Sequence, residues 1–126
     1  MIDDSKPIFQ QIAERIESDV LDGVLREEGQ VPSTNEIAAF YRINPATAAK
    51  GVNLLVDEGL LYKRRGIGMF VASGARAAVL AKRRQQFYRH YVQPLQLEAA
   101  KLGIDKEELI TLIQRSAADY EGTPAP

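Results

Sequence analysis

The chain contains no cysteine. That excludes a disulfide framework, a thiolate zinc site and a cysteine nucleophile, and it fits a reducing compartment. A single histidine, His90, leaves almost no metal chemistry, so none is expected and His90 reads as a surface or interface residue. No stretch approaches the ~18 apolar residues of a membrane-spanning helix. The opening MIDDSKPIFQ has acidic residues where a secretory leader needs cations and an apolar run. These absences predict a cytoplasmic protein with no membrane partner. No His, Cys or carboxylate constellation has catalytic spacing, so neither an enzyme nor a cofactor is expected.

What is present is an ordinary globular composition: 126 residues, 45% hydrophobic and 26% charged, enough for one domain and an appendage. A net charge of -1 counts, by itself, against a nucleic-acid partner. The distribution of charge overrides the total. From Leu60 to Val92 the ionised residues are Lys63, Arg64, Arg65, Arg76, Lys82, Arg83, Arg84 and Arg89, with no carboxylate among them. The first 59 residues hold the opposite excess, including Asp19, Asp22, Glu27 and Glu28. Screening confines distant carboxylates to a reach of ~8 to 10 Å, so the basic stretch can present a positive face.

Periodicity predicts a mostly α fold. A first helix spans about Pro7 to Leu21, with Ser5 available as a cap, Ile8, Ile12, Ile16 and Val20 as its core stripe, and Gly23 at its end. A loop, GVLREEGQ, follows. Ser33 with Glu36 forms a capping box that starts a second helix, whose Ile37, Ala38 and Tyr41 face inward. Asn44 caps a third helix with Pro45 at its first position and Gly59 past its end. LLYK and MFVA read as two strands around RRGIG. Helix, helix, helix, hairpin is a winged helix-turn-helix, here over 1–73. A two-helix region, 74–120, comes next, with Pro94 expected to kink or break its first helix. Asp105 and Glu108 box the start of its last helix, Ile104 and Leu109 staple it, and 121–126 reads as a disordered tail.

The third helix divides by face. Ala48, Val52 and Leu55 point to the core, while Ala46, Lys50, Asn53 and Asp57 form a row that is small at its N-terminal end and polar along its length. Such a row suits a major groove, with Lys50 and Asn53 reaching bases or phosphates and Thr47 offering a hydroxyl to a phosphate. Lys63, Arg64 and Arg65, beside Gly66 and Gly68, make a cationic hairpin tip able to lie along phosphates or enter a minor groove.

PIFQQIAERI, VPSTNEIA and NPATAAKGVNLLVDEGLLYKRRGIGMFV together resemble the GntR family of bacterial transcription regulators, especially its short YtrA-like branch, over about the first 72 residues. The resemblance implies that Pro32, Ser33, Asn44, Pro45, Thr47, Lys50, Arg65, Gly66 and Gly68 occupy DNA-reading positions. The candidate DNA-binding set is therefore Ser33, Thr34, Asn35, Asn44, Pro45, Ala46, Thr47, Lys50, Asn53, Lys63, Arg64, Arg65, Gly66 and Gly68. It also implies a homodimeric repressor on a pseudo-palindromic double-stranded operator, controlling its own or a transporter operon. Departures from the family pattern are Asn35, Ala46, Ala49 and Met69, each lacking a usual polar group, and Arg42 in place of the turn glycine. Gly51 stands where Ala is usual, at a cost of ~1 kcal/mol in helix propensity, and suggests a close helix crossing.

Two short helices cannot close a core alone, so the C-terminal pair needs a partner surface. A second copy is the expected partner, through Leu80, Phe87, Tyr88, Tyr91, Leu95, Leu109, Leu112 and Ile113; packing back on the chain's own winged domain is the alternative. Phe87, Tyr88 and Tyr91 also leave room for a small-molecule effector. Lys82 to Arg84 reads as a solvated face of a dimerisation helix. A winged-helix protein-protein interaction module without DNA binding, supported by the acidic cluster, is the competing function.

Overall fold

The computed structural model describes residues 2–115. Among these, no helix is long and apolar enough to cross a membrane. Helix α1 (Ile8–Leu21) buries Ile12, Ala13, Ile16 and Val20, the four-residue stripe minus Ile8, which is 39% exposed at the helix start. Its N-cap is Pro7, with no side-chain cap. The expected cap, Ser5, instead turns its N-H and hydroxyl to the Asp3 carboxylate, two residues before it. Gly23 stands past the end at φ +81°, a conformation that a side chain disfavours.

At the end of the expected loop, where Gln30 meets Val31, there is a strand, β1 (Gln30–Val31), too short for any alternation to betray it. After it come α2 (Thr34–Tyr41) and α3 (Pro45–Asp57), then β2 (Leu61–Arg64) and β3 (Gly68–Val71). All three strands are antiparallel in the order β1-β3-β2, with Val31 opposite Met69 and Leu61 opposite Val71. The core gathers Ile12, Val52, Leu55, Leu61 and Val71, each at most 2% exposed. Full burial of one such side chain is worth ~1.5–3 kcal/mol.

α1 and α3 cross closely at Gly51. A Cβ there would lie 2.7 Å from the Phe9 carbonyl oxygen and 3.0 Å from the Ile12 Cβ, so the suggestion of a close crossing holds. The first compact unit ends at Arg83 rather than at 73, because α4 (Ala75–Phe87) contributes Ala75 and Val79 to the same core.

The second unit begins at Arg84. The helix is distorted beside Pro94 but not broken. A π turn, Tyr88–Val92, joins α4 to α5 (Gln93–Lys101), with the Gln93 N-H donating to the Tyr88 carbonyl five residues back. The wider turn accommodates the proline ring where a tight one meets the carbonyl four residues earlier. α6 (Lys106–Gln114) starts at Asp105, whose carboxylate accepts the Glu108 N-H at 2.9 Å; this is the forward half of the expected box. Ala99 is the one buried residue described in this unit, and Phe87, Tyr88, Tyr91, Leu95, Leu112 and Ile113 are all exposed, with Leu109 half-buried. The expected tail and the last residues of the expected dimerisation region lie outside the described residues.

Candidate nucleic-acid interface

α2 begins with a complete capping box: the Ser33 N-H donates to Glu36 Oε1 at 2.8 Å, and the Glu36 N-H donates to Ser33 Oγ at 3.1 Å. The Ser33 backbone N-H, then its hydroxyl, hold the Glu36 carboxyl below its ordinary pKa. The Ser33 hydroxyl is therefore engaged with Glu36, and half-buried Thr34 and exposed Asn35 follow it at the helix start. The turn is made by Arg42 at φ 56°, ψ 51°, the left-handed conformation that a glycine adopts freely. The Ile43 N-H closes it on the Ala38 carbonyl at 3.0 Å. Asn44 Oδ1 then accepts the Ala46 N-H at 2.8 Å, and Pro45 opens α3 without forfeiting a hydrogen bond. Asn44 keeps its amide N-H groups for an anion at this helix N-terminus.

On α3, Ala48, Gly51, Val52 and Leu55 are buried, and Ala46, Lys50, Asn53 and Asp57 are exposed in one row. Thr47 is half-buried in the first turn. Lys50 does not float in solvent: its Nζ lies 4.2 Å from the centroid of the Phe9 ring on α1. The ring face attracts the ammonium and holds the side chain along the helix surface. Phe9 is a contributor that sequence reasoning missed, since 41 positions separate it from Lys50 and only the Gly51 crossing brings them together.

The wing is β2, β3 and their connection. Arg64 pairs with Gly68, and the Ile67 N-H closes the tip on the Arg64 carbonyl at 2.9 Å. Gly66 takes φ +78° at the third position of that turn, the conformation for which glycine is favoured. Strand alternation divides the three cations: Lys63 lies on the Met69 face, Arg64 on the Tyr62 and Phe70 face, and Arg65 in the tip. The Arg64 guanidinium carbon rests 5.3 Å from the Phe70 centroid, and all three cations are exposed. Gln30 of β1, the second missed contributor, braces the tip by donating to the Ile67 carbonyl at 3.1 Å. At the wing base Tyr62 donates its hydroxyl to Glu28, which raises the phenol pKa.

Residues 8–71, from the start of α1 to the end of β3, match the family of bacterial regulatory proteins named GntR. The chain belongs to that family. The match covers the winged elements and makes it a DNA-binding transcription regulator. Over 94% of its length this GntR regulator is 27% identical to the transcriptional repressor YtrA of Bacillus subtilis, of which it covers 90%. A crystal structure of a GntR-family transcriptional regulator from Bacteroides thetaiotaomicron shares 36% identity and a TM-score of 0.65, over 84% of this chain and 92% of that one. The DNA-binding domain of AraR, crystallised in complex with operator ORX1, is 28% identical with a TM-score of 0.54, over 57% of this chain and 93% of that domain.

In this GntR regulator one compact unit carries both candidate elements, the α2-α3 pair and the wing. Lys82 and Arg83 depart from the expected solvated face. Both are half-buried and bonded to α1, because a buried carboxylate, Glu17, lies there and needs a counter-charge; Arg84 is exposed.

Proposed function

We propose that this GntR regulator is a homodimeric repressor that sets α3 of each protomer in a major groove of a pseudo-palindromic operator, with the wing along the adjacent backbone. The observation that carries the reading is the exposed row Ala46, Lys50, Asn53 on α3, in the same unit as a wing bearing Lys63, Arg64 and Arg65. Ala46 keeps the N-terminal end slim for close approach, Lys50 and Asn53 supply donors for base edges or phosphates, and Thr47 and Asn44 supply phosphate donors at the α3 N-terminus. The likeness to YtrA and to an operator-bound AraR domain supports the same role. The function is regulatory rather than catalytic, and its compartment is the cytoplasm.

The dimer is supported by the second unit. With Ala99 alone buried among its described residues, it holds no core of its own, and its exposed apolar side chains call for a partner face. A two-fold pair of these helices supplies one and gives two recognition helices related by the symmetry of a palindrome. The test is fluorescence anisotropy on selected operator DNA against shuffled DNA, with wild type and Arg65→Ala. Log affinity should fall with log salt by ~0.9 per phosphate neutralised, and Arg65→Ala should lower that slope by about one contact. Binding that is indifferent to both sequence and salt would refute the reading.

A further inference from the structure

Glu17 is 3% exposed, the one charged side chain buried among the described residues. A carboxylate removed from water this far is costly unless paired and hydrogen-bonded. Its partner comes from α4: Lys82 Nζ sits 2.6 Å from Glu17 Oε2 and, at the same time, 2.9 Å from Glu58 Oε1. Glu58 is the C-cap residue of α3. One ammonium thus ties α1, the C-terminal end of the recognition helix and α4. Arg83 adds a second hold on α1, its Nη2 donating to Ser18 Oγ at 2.9 Å and to the Glu14 carbonyl at 3.1 Å.

The other end of this segment is clamped as well. Glu27 accepts the backbone N-H groups of Gly74 and Arg76 at 2.9 and 3.2 Å, and Arg76 Nε donates to the Leu21 carbonyl at 2.9 Å. Between the clamps, Ala75 and Val79 are buried. The apolar contacts attach the first nine residues of α4 to the winged unit, but hydrophobic burial is non-directional and selects a register less sharply than a charge pair. The ionic contacts are sharper: an ammonium shared between two carboxylates has one register. A buried ion pair adds little net stability over an apolar pair of the same size, and its best-attested use is to select one arrangement.

We infer that the Glu17–Lys82–Glu58 cluster is a positioning device that determines which operator half-site spacing the protein accepts. The inference rests on the homodimer reading above. The helices beyond α4 join the two protomers in that reading, so the separation of the two recognition helices is transmitted through α4. Lys82 registers α4 directly on the end of the helix that enters the groove. Half-site spacing is the geometric output of that chain of attachments. Glu17, Glu58 and Lys82 need touch no DNA to set it.

The experiment is selection from a random duplex library with the full chain, followed by affinity measurements on single half-sites and on repeats lengthened by one base pair. Wild type should select one spacing. Glu17→Gln/Lys82→Ala removes the buried charge together with its partner, so no unpaired charge is left in the core. It should select the same half-site at several spacings, and its preference for the parental spacing should fall about tenfold or more. Affinity for a single half-site should stay within about twofold, since the cluster is separate from the reading surface. Glu58→Gln, at a partly exposed position that leaves the buried pair intact, should relax the spacing in the same direction. Unchanged spacing preference in both variants would overturn the inference and leave the dimer standing. A wild type that sediments as a monomer and selects isolated half-sites would overturn both.

Discussion

Gly51→Ala tests the close crossing of α1 and α3 because two physical effects oppose each other there. Alanine raises helix propensity by ~1 kcal/mol over glycine, so a rule based on the helix alone expects a more stable protein. The new Cβ, however, would stand 2.7 Å from the Phe9 carbonyl oxygen, 3.0 Å from Ile12 Cβ and 3.1 Å from Ile12 Cγ2. The first of these is backbone inside α1, and Ile12 is 1% exposed, so neither yields by rotating into solvent. Overpacking of this kind costs ~1–3 kcal/mol, and a backbone contact belongs in the upper part of that range. The expected net loss is about 1–2 kcal/mol, which lowers Tm by roughly 5–15 °C in a unit of this size. Urea unfolding followed by circular dichroism measures it, with an unchanged m-value to show that only stability moved. A Gly51→Ala protein as stable as wild type would refute the reasoning, because propensity would then have won and the crossing would have opened at no cost.

Arg42→Gly should stabilise the protein by about 1 kcal/mol, since it relieves a left-handed residue at φ 56°; chemical denaturation checks it, and a loss of stability would show that the arginine side chain outweighs the strain. Phe9→Leu should release Lys50 from its ring, moving the Lys50 ε-methylene proton signals downfield in NMR spectra as the ring current disappears; unchanged shifts would count against the 4.2 Å contact. The Glu27 carboxyl is held below its ordinary pKa by the N-H groups of Gly74 and then Arg76. A depressed acid stabilises the fold above its unfolded pKa, ~4.3 for glutamate, and that contribution disappears as pH falls through the lower folded value. Glu27→Gln should therefore flatten the stability profile below about pH 4.5, and a profile as steep as that of wild type would contradict the clamp.

Much of the proposed reading surface was legible in the sequence, for a physical reason. The Ser33–Glu36 box, the Asn44–Pro45 start and the glycines past α1 and α3 are chemistry between residues no more than four apart. The hairpin was legible too, to within one residue at its ends, because Gly66 and Gly68 interrupt two apolar runs. The departures arose at longer range or at shorter length. β1 is two residues long and exists by pairing with β3, forty positions away for Gln30 and Phe70. Ser5 lost its capping role to a local carboxylate, Asp3, and the π turn before Pro94 is a backbone adjustment with no side-chain signature.

The sequence by itself determined where α2, α3 and α6 begin, which face of α3 stays polar and where the wing turns, because caps, periodicity and glycine geometry act within a single turn of chain. Only the tertiary structure decided what those faces meet. It laid Phe9 under Lys50, braced the wing with Gln30, and turned the basic run at Lys82 and Arg83 from an expected solvated face into a tie across three helices. A charge shows its sign in the sequence, but its partner depends on which distant residue the core brings within 3 Å, and that distance belongs to the fold.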